Sequence, residues 1–355
     1  MSRIRRHVAL AGTSLVLTAS LIGCGVESGR TASDSAEREC PWEPDTSVTT
    51  EARIAYQNIP NADAIVRDQG ILEACLPKAR ITWTNFASGG DVVQAFGASG
   101  DGLDLGLVGS SPATKALSAP LDIPVKVIWI HDVIGEAESL IAKDPKVTDL
   151  AGLKGSRIAV PFGSTAHYSL LQALADAGID SAKDVKIINL EPEKMQAAWQ
   201  RGDIDAAWVW DPVLSTLKED GHVILSSKDT AEQGKPTYDL GIAGTSFLEE
   251  NPEFVEAWAK AQDWAVKLIA DDPGAAAESV AAAIGVDPAQ AEAQFAGLEY
   301  LTAADQASDT WLGGKLGKDL AATAAFLKEQ GGIDAVAPEA TYAAGVDAGP
   351  AASVK

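Results

Sequence analysis

Basic residues are scarce in this chain. Its 355 residues hold 28 Lys and Arg against 50 Asp and Glu, a formal charge of −22. So acidic a surface excludes nucleic-acid binding, which needs a basic face. Histidine is scarcer still. None of His7, His131, His167 and His222 forms an H-x-x-x-H pair, so no metal is expected. A G-x-x-x-x-G-K-[ST] loop is lacking, and so is a G-x-S-x-G elbow around Ser164 or Ser169, which leaves no cofactor or hydrolase signature. A triad of Ser164, His167 and Asp211 can be drawn, but Ser and His three apart on one helix cap and pack, so hydrolysis is a remote alternative. Long apolar runs are also missing. The one from Val8 to Ile22 falls short of the roughly 20 residues that span a bilayer.

That run follows Arg3, Arg5, Arg6 and His7 and precedes Leu21, Ile22, Gly23 and Cys24. The order reads as an export signal over residues 1–23 ending in a lipobox, with Cys24 diacylated after cleavage and membrane lipid as its partner. Cleavage removes three arginines and takes the formal charge from −22 to −25. Residues 24–47, rich in Ser, Thr, Glu and Asp, read as a flexible tether. Export makes a disulfide between Cys40 and Cys75 plausible, with two free thiols as the alternative. About 330 residues exceed what one core usually holds, so two lobes are expected.

Beyond the tether, strands and helices alternate as in parallel βαβ units. Strands read at 53–56, 80–86, 103–108, 125–130, 139–142, 157–160, 185–189 and 238–244, with a further apolar strand after the Gly202-Asp203 turn, helices between them such as 64–73, and a helical remainder at 252–270, 273–284, 288–297 and 308–329. Small hydroxyl residues recur where a strand turns into a helix: Ser88, then Ser110 and Ser111, then Ser164 and Thr165. Each reads as a helix cap, and the first turn of a helix presents amide donors and the positive end of its dipole. In open sheets, ligands sit beyond the carboxyl ends of the strands, where these turns lie. The grammar reads as one cleft with several amide donors, suited to a sulfonate, sulfate, phosphate or carboxylate.

VGSSPAT at 108–114, VPFGSTAHYSLL at 160–171 and AAWQRGDIDAAWVWDP at 197–212 resemble the taurine-binding proteins of bacterial ABC importers, relatives of the aliphatic sulfonate and nitrate binders. The likeness runs from about Arg53 through Phe254 and includes AYQ at 55–57, SGGDVVQAF at 88–96 and PTYDL at 236–240. Two departures stand out: an extra residue in ASGDGLDLG, and Asp211, where the family often shows Ala.

The resemblance implies a type II periplasmic binding fold, two α/β lobes joined by two crossing strands. Residues 48–138 and 239–345 would form lobe one, 139–238 lobe two, and 346–355 a loose tail. It implies a monomeric, non-enzymatic substrate-binding protein on the outer face of the cell membrane, delivering taurine or a related sulfonate to an ABC permease. Nitrate, another alkanesulfonate and a thiamine precursor are alternative ligands. Charge complementarity assigns the sulfonate to Ser110, Ser111, Thr165 and His167, with Ser88 nearby, and the ammonium to Glu138 and Asp239. Trp210 and Tyr56 would close over the hydrocarbon, and Gln57, Ser164 and Tyr168 complete the expected set.

Overall fold

The computed structural model describes residues 39–98 and 102–355. The expected signal, Cys24 and most of the tether lie outside these residues. Eleven strands occur among them: β1 Glu51–Tyr56, β2 Arg80–Asn85, β3 Leu105–Gly109, β4 Val125–Ile134, β5 Glu138–Ala142, β6 Arg157–Val160, β7 Lys186–Asn189, β8 Ala206–Trp210, β9 His222–Ser226, β10 Tyr238–Gly244 and β11 Leu298–Glu299. They form two sheets, one in the order β11-β4-β10-β3-β1-β2 and one in the order β7-β6-β8-β5-β9. Within the first, β1 runs parallel to β2 and β3, while β10 lies antiparallel between β3 and β4. Within the second, β6 runs parallel to β7 and β8, and β5 lies antiparallel between β8 and β9.

The chain passes from the first sheet to the second through 135–137 and returns through 227–237, the segments between β4 and β5 and between β9 and β10. Each sheet has its own apolar core. That of the first includes Ile54, Leu105, Trp129, Leu240 and Phe254. The second is packed on both faces, by Leu140, Val160, Leu170 and Trp208 on one and by Ile141, Met195, Trp199 and Val209 on the other. Strands buried on both faces read as continuous apolar runs, which is why VIWI in β4 and AAWVW in β8 show no polar alternation.

Several expectations need correction. The last ten residues are not loose: Val346 bridges Val127, Asp347 N donates to Val127 O at 2.8 Å, and the helix Gly349–Ser353 buries Ala351. Val346, Ala348, Ala351 and Val354 give this end an apolar face for the first core to hold. Residues 39–47 are strapped down rather than flexible. Cys40 and Cys75 form a disulfide with Cα atoms 4.8 Å apart, and Asp45 N donates to Cys75 O at 2.8 Å. Trp42 packs on the core with the Lys260 ammonium over its ring. The helix expected from 64 to 73 is two, Ala62–Gln69 and Ile71–Cys75, split where Gly70 takes φ 61°, the left-handed cap conformation that glycine adopts without strain. Helix Lys315–Glu329 starts after a run of turns rather than at Ser308.

Candidate functional site

The carboxyl ends of β1, β3 and β8 and the loop after β6 face one cleft between the sheets, holding about 430 Å³ of empty space. Gln57 follows β1, Gly109 ends β3, Ser164 and Thr165 follow β6, and Trp210 and Asp211 end β8. Glu138 enters where the chain crosses into the second sheet, and Asp239 where it returns to the first. Ile59, Pro60, Ile134, Ala137 and Leu298 supply an apolar wall.

The lobes touch across this cleft. Gly109 is needed for that approach, since a Cβ there would lie 2.5 Å from Thr165 Cγ2. Gly89 serves the same end within the first lobe, where a Cβ would meet Pro112 Cγ at 2.9 Å. Helix Thr165–Asp176 begins at the cleft with Ser164 as its cap, whose hydroxyl accepts from His167 N at 3.1 Å. Helix Gly89–Gly97 begins opposite it.

Acid groups dominate the polar lining. The Glu138 carboxyl is 1% exposed and accepts from Thr165 Oγ1 at 2.6 Å and from Ser227 Oγ at 2.7 Å. Asp239 pairs in register with Asp132, which stands behind it, fully buried, and accepts from Asn61 Nδ2 at 3.2 Å. Burial raises Asp132 and Glu138 to about 7. It raises Asp239 well above the carboxylate range, helped by the charges of Asp132 and Glu138. Burial also raises Asp211, against the hydrogen bonds it receives from Ser215. No Lys, Arg, His or Cys among the described residues lines the cleft. Among the described residues, no group of three or more His, Cys, Asp or Glu is arranged to hold a metal ion.

Of the residues expected at the site, Gln57, Glu138, Ser164, Thr165, Trp210 and Asp239 line the cleft together. Six others stand elsewhere. Tyr56 points away from Gln57, as alternation along an extended chain requires, with its ring edge-on to Trp83 and the Arg67 guanidinium 3.7 Å from its centroid. Ser88 Oγ donates to Asp91 Oδ2 at 2.9 Å. Ser110 and Ser111 do not cap their helix, which starts at Ser110 itself, and Ser110 Oγ accepts from Tyr238 N at 3.2 Å. Ser111 is buried in that first turn.

His167 stacks on Phe162 with centroids 4.5 Å apart, and its Nδ1 accepts from Gly163 N at 3.3 Å. Burial and the Lys115 charge lower its pKa to about 4, so the ring is neutral near pH 7 and offers an anion no cation. Tyr168 packs edge-on to Phe326 at 5.4 Å and its hydroxyl accepts from Gln172 Nε2 at 3.0 Å. The Thr165 hydroxyl is committed to Glu138, so an anion there meets the first-turn amides instead. Sequence reasoning missed Ile59, Pro60, Ile134, Ala137 and Leu298, whose side chains carry no polar mark. Asp211, which the sequence offers only as part of a remote triad and as a departure from the family pattern, also lines the cleft.

Two α/β lobes joined by crossing segments, with a cleft at the strand ends, define the type II periplasmic binding fold. The chain belongs to the NMT1-like family, whose profile matches residues 48–285. It is 38% identical over 265 residues to the taurine-binding periplasmic protein of Escherichia coli (strain K12), covering 73% of this chain and 80% of the relative. In structure it is similar to the alkanesulfonate-binding protein of Xanthomonas axonopodis pv. citri bound to MOPS, with TM-score 0.68, 23% identity, and coverage of 85% of this chain and 98% of the other. The fold is also that of the desulfurization enzyme DSZB, with TM-score 0.59, 14% identity, and coverage of 83% and 96%. The fold therefore serves both binding and catalysis.

Proposed function

We propose that this protein is the extracytoplasmic substrate-binding component of an ABC importer, capturing taurine or a related zwitterionic sulfonate by lobe closure and delivering it to the membrane permease. One observation carries the reading: carboxyl groups from both lobes and the first turns of two helices share a cleft that contains no cationic side chain. Taurine has the matching charges. Its ammonium faces Glu138 and Asp239, its sulfonate faces the amides at the starts of helices Gly89–Gly97 and Thr165–Asp176, and Trp210 covers the short hydrocarbon. The relative from Escherichia coli, at 38% identity, supports taurine over other sulfonates.

Capture rather than catalysis fits a lining in which no cysteine or histidine stands ready to attack a substrate. Anchoring through Cys24 would hold the protein at the outer face of the cell membrane as a monomer. Isothermal calorimetry with taurine, ethanesulfonate, nitrate and glycine betaine tests the ligand. Taurine is expected to bind most tightly, and no heat from either sulfonate would reject the substrate class. Nitrate, a bare anion, is disfavoured by the acidic lining.

Closure itself can be tested at Gly109. The methyl of Gly109→Ala would collide with Thr165 across the cleft. Overpacking of this kind costs about 1–3 kcal/mol, so taurine affinity should fall about tenfold. Small-angle scattering of the taurine-saturated variant should show a larger radius of gyration than the saturated parent. An equal radius and affinity would show that the lobes accommodate the methyl.

A further inference from the structure

We infer that Asp211, held in place across the lobe boundary by Ser215 and Gln294, is a specificity-determining residue that reserves tight binding for ligands carrying a cation beside their anionic group. The inference rests on the proposed function and adds to it a residue outside the expected ligand set.

Asp211 follows Trp210 at the end of β8, and its backbone N donates to Ala137 O at 2.9 Å, which fixes it beside the crossing segment 135–137. It lines the cleft and is 4% exposed. Its side-chain hydrogen bonds both run to Oδ1, from Ser215 N at 2.9 Å and from Ser215 Oγ at 2.5 Å. The same Ser215 hydroxyl accepts from Gln294 Nε2 at 3.1 Å. Gln294 lies on helix Pro288–Phe295, which leads into β11 of the first sheet, whereas Ser215 follows β8 of the second. The relay therefore spans both lobes and orients Asp211 when they meet.

The cleft lining brings Asp211 together with Glu138 and Asp239, and Tyr300 lies near them. Its phenol is buried, and the charges of Asp132, Asp211 and Asp239 all oppose its ionisation. The hydroxyl donates to Pro60 O at 2.6 Å, a neutral group, so it neutralises none of them. Asp132 and Asp239 belong to the first lobe and Asp211 to the second. Their joint ionisation is opposed by burial and by like-charge repulsion, and a cation between them offsets both. An alkanesulfonate without an ammonium leaves that repulsion in place, and a zwitterion removes it. Discrimination thus comes as much from what Asp211 repels as from what it binds.

The test is calorimetry of taurine and ethanesulfonate on the exported chain and its Asp211→Asn variant. The asparagine oxygen can keep both bonds from Ser215 while losing the charge. The taurine-to-ethanesulfonate affinity ratio is expected to fall about tenfold or more, the worth of one charge-assisted contact. A general loss of packing would weaken both ligands alike, and an unchanged ratio would overturn the inference while leaving the taurine reading intact. If the parent protein bound neither sulfonate, both would fall. Gln294→Met supplies a second measurement should Asp211→Asn not fold. It removes the relay without touching the cleft and should lower the same ratio by a smaller factor, and an unmoved ratio there would count equally against the inference.

Discussion

Replacing Glu138 by Gln is expected to weaken taurine binding by about a hundredfold or more, because removing one partner of a buried, hydrogen-bonded charge pair costs about 2–5 kcal/mol. Glu138 is the acid most firmly held in the cleft. Thr165 Oγ1 and Ser227 Oγ each donate to one of its oxygens, so the group is oriented before any ligand arrives. The amide of Gln keeps the shape but loses the charge, and its NH₂ replaces one of the two oxygens, so the single hydroxyl that donated there must reverse. The ligand-free protein should melt no earlier than the parent near neutral pH, because the buried carboxyl, 1% exposed, itself opposes ionisation. Calorimetry paired with a thermal melt therefore separates the two effects. Equal taurine affinity in parent and variant would remove Glu138 from the ammonium site. Ser227→Ala takes away only one of its two donors and should weaken binding by a smaller factor.

Much of this arrangement is legible in the residues, and the boundary of legibility has a physical cause. Strand Tyr238–Gly244 and helix Pro273–Ile284 fall where turn chemistry and apolar runs place them. The cap at Ser164 is legible too, since a small polar side chain after Pro161 and Gly163 can accept from the first amides of a helix. Of the four edge strands, Arg80–Asn85 and Lys186–Asn189 are legible and the other two are not. His222–Ser226 is short and lacks alternation, and Leu298–Glu299 exists only because Ile134 and Val133 pair with it. The lining of the cleft is readable where a side chain sits at a strand end, as with Trp210 and Asp239. It is unreadable where direction decides. Gln57 and Tyr56 are neighbours on one strand exit, yet a period of two sends one to the cleft and the other to Trp83. Ser110 and Thr165 occupy similar turns, but the first is drawn to Tyr238 N and the second to Glu138. The convergence of Asp132, Asp211 and Asp239 joins residues from both lobes, and no local pattern records such a meeting.

That convergence makes taurine affinity depend on pH, rising from mildly acidic to mildly basic conditions. In the ligand-free protein burial raises Asp132 and Glu138 to about 7 and Asp239 well above its ordinary value, because it disfavours their charge. The groups that face them are Asn61, Ser227, Thr165, Asp211 and Tyr300, and none is a cation that would hold a carboxylate ionised. An ammonium in the cleft does so, and binding therefore expels protons. Each proton released should raise log affinity by about one unit per pH unit below the shifted values and should cease to matter well above them. His167, neutral down to about pH 4 and outside the lining, contributes nothing in this window.

The stability of the ligand-free protein must run the other way. These folded-state values lie above the unfolded ones, so their contribution is fully present below the ordinary carboxylate range and is lost as pH rises through about 7. Thermal melts without taurine should thus decline from about pH 5 to about pH 8 in this contribution, while taurine affinity climbs. Calorimetry in two buffers of different ionisation enthalpy counts the protons directly. A flat affinity across that range, with no dependence of the heat on buffer, would mean that the ammonium is not held by this buried carboxyl group of four.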